Sequence, residues 1–134
     1  MGVIVYLLFH HSNGKKVVID TKNTYSVQIY VKGNNIPKDK RPNPRGCSGV
    51  IGKKGMKTLY EVVVDLQKSA PSWKIKIKGT KKQAVIESIL GIKNGEYGKN
   101  SKWKIKINKK ELKNSIYKTR IKRQDDIEIY YDSK

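Results

Sequence analysis

AVIESILGIKNGEYGKNSKWKIKIN, residues 84–108, and DDIEIYY, residues 125–131, frame the stretch that decides the fold. Trp103, Ile105 and Ile107 alternate with Lys104 and Lys106. Ile127, Ile129 and Tyr131 alternate with Glu128 and Tyr130. A period of two marks a strand with one buried and one wet face. Between them KNGEYGKNS, residues 93–101, is a cluster of turn formers. Two strands that both present lysines would repel if paired, so Trp103–Asn108 is expected beside the strand that carries Glu128.

Working outward, Trp73–Lys78 (WKIKIK) predicts a strand whose partner is Gln83–Leu90, across the turn Gly79–Lys82. The helix is predicted over Met56–Lys68. Thr58-Leu59-Tyr60-Glu61 is a capping box, and Leu59, Val62, Val63 and Leu66 make one apolar stripe. Three consecutive valines disfavour a helix locally, so the packing of that stripe must hold it. Residues 32–55 contain three prolines and five glycines and are expected to form a long loop. Tyr25–Val31 reads as a strand. Val3–His10 and Lys15–Asp20, joined across Asn13-Gly14, read as a hairpin. The expected whole is α+β: one main helix on a β-grasp-like sheet, with an N-terminal hairpin over residues 1–24 and the domain proper over 25–134.

At 134 residues the chain builds one core. The formal net charge of +19 comes from 26 lysines and only 4 arginines. Arginine is the residue of bidentate phosphate and base recognition, so this charge implies general attraction to anions before a nucleic-acid site. The single cysteine, Cys47, makes no internal disulfide and leaves the redox compartment open. GVIVYLLF, residues 2–9, is too short to span a bilayer and lacks the basic flank of a signal peptide.

The ordered motifs resemble the transcobalamin C-terminal-like domain family. Thr58-Leu59-Tyr60-Glu61 stands at its helix start, and Ile89-Leu90-Gly91-Ile92-Lys93-Asn94-Gly95 at its turn. Trp103–Asn108 is its tryptophan strand and Asp125–Tyr131 its end. Lys109 and Gln124 stand where the family has glycine, and Ile129 where it has tryptophan. The resemblance implies a β-grasp fold and an extracellular or surface-attached binding role. In transcobalamin such a domain closes over one face of a corrin. The matched residues are turn and core positions, so a fold is carried over and a binding site is not.

Little catalytic chemistry is legible. His10 and His11 are adjacent and diverge if they lie on a strand, as do Asp125 and Asp126. Cys47 has no base near it in sequence. No metal, cofactor or enzymatic activity is expected. Gly52-Lys53-Lys54-Gly55 before a helix resembles the backbone clamp of KH domains, yet Pro37, Pro42 and Pro44 discourage the helix that should precede it. The same glycines lack the first Gly and the Ser/Thr of a P-loop. Candidate ligand residues are Lys53, Lys54, Asn94, Tyr97 and Tyr130. They centre where the loop Lys32–Gly55 would meet Lys93–Ser101, with Tyr97 in the glycine-rich turn and Tyr130 on a wet face. The expected function is a non-catalytic ligand-binding or adhesion module of a bacterial surface or secreted protein. It would bind a small molecule, glycan or anionic polymer; a nucleic-acid module using the glycine loop is the alternative.

Overall fold

The computed structural model describes residues 24–33, 36–41, 45–50 and 58–133. The N-terminal hairpin and the glycine loop with Lys53 and Lys54 lie outside them. In chain order the elements are β1 (Thr24–Lys32), β2 (Arg45–Val50), α1 (Leu59–Ser69), β3 (Lys76–Lys78), β4 (Val85–Ile89), β5 (Ile92–Lys93), β6 (Lys102–Ile107), β7 (Lys110–Glu111) and β8 (Asp126–Asp132).

β1 and β8 lie side by side and parallel at the centre of a five-stranded sheet of order β2-β1-β8-β6-β7, whose other pairs are antiparallel. The pairing of β6 with β8 sets Lys106 opposite Glu128, as charge complementarity requires. β3, β4 and β5 form a second sheet in that order. Tyr25, Val27 and Ile29 of β1, Ile127, Ile129 and Tyr131 of β8, and Trp103 and Ile105 of β6 alternate into one core. Leu59, Val62, Val63 and Leu66 of α1 share it, as do Ile86, Ile89 and Ile92 of the second sheet. The result is α+β, a helix on a mixed sheet whose central strands come from opposite ends of the described chain: the β-grasp arrangement.

The helix begins at Leu59 rather than Met56, because Thr58 is its extended N-cap. Thr58 Oγ1 accepts from the Glu61 amide at 3.2 Å, and Glu61 Oε1 accepts from the Thr58 amide at 3.0 Å. The next two amides donate outside the helix, Leu59 to the Thr119 carbonyl at 2.7 Å and Tyr60 to the Ile116 carbonyl at 3.0 Å. This helix end is therefore satisfied by the protein itself.

Two expectations change. The long loop contains a turn at Lys38–Lys40 and a strand, β2, at the sheet edge. Gly49 serves the pairing: a Cβ there would lie 2.3 Å from the Tyr25 hydroxyl and 2.5 Å from its ring, so that ring packs over bare backbone. A strand at this position also leaves no helix just ahead of Gly52–Gly55. Trp73 belongs to a 3-10 turn started by Pro71, and Lys74 follows with φ 52°, so β3 begins only at Lys76. Burial of Trp73 and Ile75 mimics strand alternation here without strand geometry.

Candidate functional site

The site follows from how β6 is used. Its even residues face β8 with their backbone groups, so the odd ones present theirs to the other edge. β7 covers that edge only at Lys106 and Ile107. Beyond it the Leu112 amide donates to the Ile105 carbonyl at 2.8 Å, and the Trp103 amide donates to Asn94 Oδ1 at 2.8 Å.

Asn94 joins the two sheets. β5 runs beside β4 for two residues and turns away at Asn94-Gly95, where Gly95 takes φ 80°. The Asn94 amide N–H donates to the Glu87 carbonyl at 3.1 Å, and Nδ2 donates to the Ile86 carbonyl at 2.8 Å. Its side-chain amide thus stands between β4 and β6 as a peptide group of an intervening strand would. Past this bridge the two edges part around a groove of about 510 Å³. Val85, Ile86, Ile105, Leu112 and Ile116 give it an apolar lining. Val85 is 51% exposed, the one large apolar side chain so exposed among the described residues.

The rim is cationic. Lys82 and Lys102 line it, and among the described residues neither has an ion pair. Lys104 is held by Asp132 at 3.2 Å, and Glu111 accepts from the Tyr130 hydroxyl at 3.3 Å. Ser115 is occupied as a turn cap, accepting from the Tyr117 amide at 3.1 Å.

The expected site residues are divided among several places. Asn94 lines this groove, although its amide is committed to the backbone on both sides. Tyr97 is half-buried, its ring edge-on to Tyr131 at 6.4 Å, in a separate hollow of about 420 Å³ with Lys40, Arg41 and Glu96. There the described part of the 32–55 segment does meet the turn after β5. Arg41 is already anchored, donating from Nε to the Ile36 carbonyl at 3.0 Å and from Nη2 to the Gly33 carbonyl.

Tyr130 does not lie on a wet face. It is 2% exposed, although it alternates away from the core. β8 is a central strand, so long side chains of β1 and β6 close over it. Tyr30 stacks on the ring at 5.6 Å, and Lys32 and Lys106 set their ammonium groups 5.2 Å and 5.0 Å from its centroid. Beside it the Tyr30 hydroxyl donates to Glu128 Oε1 at 2.9 Å. Burial, then this bond, push the Tyr30 phenol up to about 12. The same bond, supported by Lys109, holds the Glu128 carboxyl below its usual range against the cost of burial. Oε2 has no hydrogen bond among the described residues and is met only by the Lys109 ammonium at 3.5 Å. The pair interaction is real but long, because Lys109 is largely in solvent.

Sequence reasoning did not find Val85, Lys82, Lys102 or the open edge of β6. One signal was present: Ala84-Val85-Ile86 cannot bury three consecutive apolar side chains on one face of a strand, so one must point out.

No family model matches this sequence, and no curated protein matches it. Solved structures do match its fold. A protein of Ruminococcus gnavus, described as a candidate metal binding protein, is 12% identical. It aligns over 84% of this chain and 98% of its own, with a TM-score of 0.57. Haptocorrin in complex with Cbi is 13% identical over 87% of this chain, with a TM-score of 0.55. The chain spans 27% of haptocorrin's length. Among the described residues no three His, Cys, Asp or Glu side chains gather as a metal would need. What these comparisons show is a fold shared with these solved structures.

Proposed function

We propose that this chain is a non-catalytic ligand-binding module whose site is the groove between β4 and β6. The observation that carries the reading is the groove itself: an apolar lining that includes the exposed Val85, beneath a rim where Lys82 and Lys102 have no acidic partners among the described residues. Such a site fits a ligand with an apolar body and a negative charge. Haptocorrin, part of which shares this fold, was solved in complex with Cbi, and that likeness supports a ligand-binding role. A surface or secreted location belongs to the same proposal and rests on the family resemblance. No helix among the described residues is long and apolar enough to cross a membrane.

Methyl-resolved NMR with anilinonaphthalenesulfonate, an apolar anion, tests the site at physiological salt. The methyls of Val85, Ile105 and Leu112 are expected to shift, and Lys82→Glu with Lys102→Glu to weaken binding by about tenfold or more, as loss of two rim charges implies. Shifts centred on Leu90 and Ile92 would move the site to the Tyr97 hollow. Shifts at neither place would remove the reading.

A further inference from the structure

We propose that the occupant of the groove is an extended acidic peptide, which adds as a strand to the open edge of β6. The inference rests on the groove being the ligand site and names the class of its ligand. Two backbone groups on this edge lack partners among the described residues: the Trp103 carbonyl and the Ile105 amide, which lie between the bonds made by Asn94 and by Leu112. Exposed strand edges of this kind are templates for another chain.

Asn94 gauges the space. One amide group reaches the Ile86 carbonyl of the second sheet and the Trp103 amide of β6, with 2.8 Å at each end. Neighbouring strands stand about 4.8 Å apart, so a gap bridged by one amide is one strand wide. Asn94 fills the first position of an absent strand, and the groove continues from it.

Side-chain chemistry then sets the peptide's pattern. One residue of a parallel strand, seated opposite Lys104, would donate to the Trp103 carbonyl and accept from the Ile105 amide. Its side chain would share the face of Lys102 and Lys104, where a carboxylate is favoured. The residues before and after it would point the other way, toward the face of Trp103, Ile105 and Ile86, where apolar groups are favoured. The ligand is thus an alternation of acidic and apolar residues, matched to a chain of net charge +19.

The test uses the full chain and an end-blocked peptide of alternating valine and glutamate, at physiological salt. Binding is expected to slow solvent exchange of the Ile105 amide by about tenfold or more, as a new backbone hydrogen bond requires. N-methylation of the peptide at one glutamate after another should, at one position, cost about tenfold in affinity, although every side chain is kept. Val85→Glu should also weaken binding. Equal binding of an all-glutamate peptide, with Ile105 exchange unchanged, would show attraction by charge alone and overturn the proposal. If anilinonaphthalenesulfonate shifts the groove methyls while the alternating peptide leaves Ile105 exchange unchanged, the peptide inference falls and the groove stands. If neither ligand perturbs the groove, both readings fall.

Discussion

Replacing Asn94 with alanine removes the bridge between the two sheets. The substitution deletes an acceptor for the Trp103 amide and a donor to the Ile86 carbonyl, both at 2.8 Å and both part-buried. It keeps the Asn94 backbone bond to Glu87. Each orphaned backbone group costs about 1–3 kcal/mol when buried and less where water can reach it. The groove admits water, so the lower end applies, and the two together come to roughly 2 kcal/mol. For a chain of this size that lowers Tm by about 6–10 °C. Denaturant unfolding with two independent probes measures it, coincident transitions showing that the loss is global. Asn94→Asp separates the two bonds. Its carboxylate still accepts from Trp103 but faces the Ile86 carbonyl, so this variant should recover stability in acid, when a protonated carboxyl can donate. If Asn94→Ala unfolded with the parent, the amide would be an ordinary surface group and the width argument for the groove would fail.

The other predictions concern the core, two backbone positions and the covered sheet face. Leu66 is 6% exposed, so Leu66→Ala should cost roughly 2–5 kcal/mol in chemical denaturation, and a cost near zero would mean α1 is not seated on the sheet. Gln124 holds φ 62° with its side chain in solvent, so Gln124→Gly should stabilise by about 0.5–1 kcal/mol; a loss would show that its side chain matters. Lys109→Gly relieves φ 72° but deletes the partner of Glu128, and should gain less. The depressed Glu128 carboxyl contributes stability that is present above its unfolded value near 4.5 and lost as pH falls through the lower folded one. Tyr30 works in the other direction: its contribution is complete below its unfolded value near 10 and is lost as pH rises through about 12. Tyr30→Phe should flatten both limbs of the stability–pH curve, and an unchanged acid limb would exclude the Glu128 bond as its source.

The helix, the partnership of β6 with β8 and that of β3 with β4 were legible because each rests on local patterns. The capping box, the stripe from Leu59 to Leu66 and the charge match of Lys106 with Glu128 are written within a few residues of one another or in one alternation. β2 was not legible, because Gly49 gains its place from Tyr25 across the sheet. Alternation set the facing of Tyr130 correctly but said nothing of its cover. That cover comes from Tyr30, Lys32 and Lys106, which only the strand order brings together. The groove is a relation between two sheets, so no single stretch announces it. Asn94 read as a turn residue, which it is, while the work of its side chain lies in a gap the turn does not describe.

The parallel register of β1 with β8, from Ser26 opposite Asp126 to Lys32 opposite Asp132, has a mechanical meaning. Tension applied between Thr24 and Ser133 would pull these strands along their length in opposite directions. Every bond of the register would then bear load at once, whereas a hairpin pulled from its open end yields one bond at a time. Forced rupture is governed by the barrier to unfolding rather than by equilibrium stability. A domain strung between two anchors by these points would hold its shape under drag far better than its modest core implies. The same domain tethered through α1 and β4 would peel apart from the second sheet.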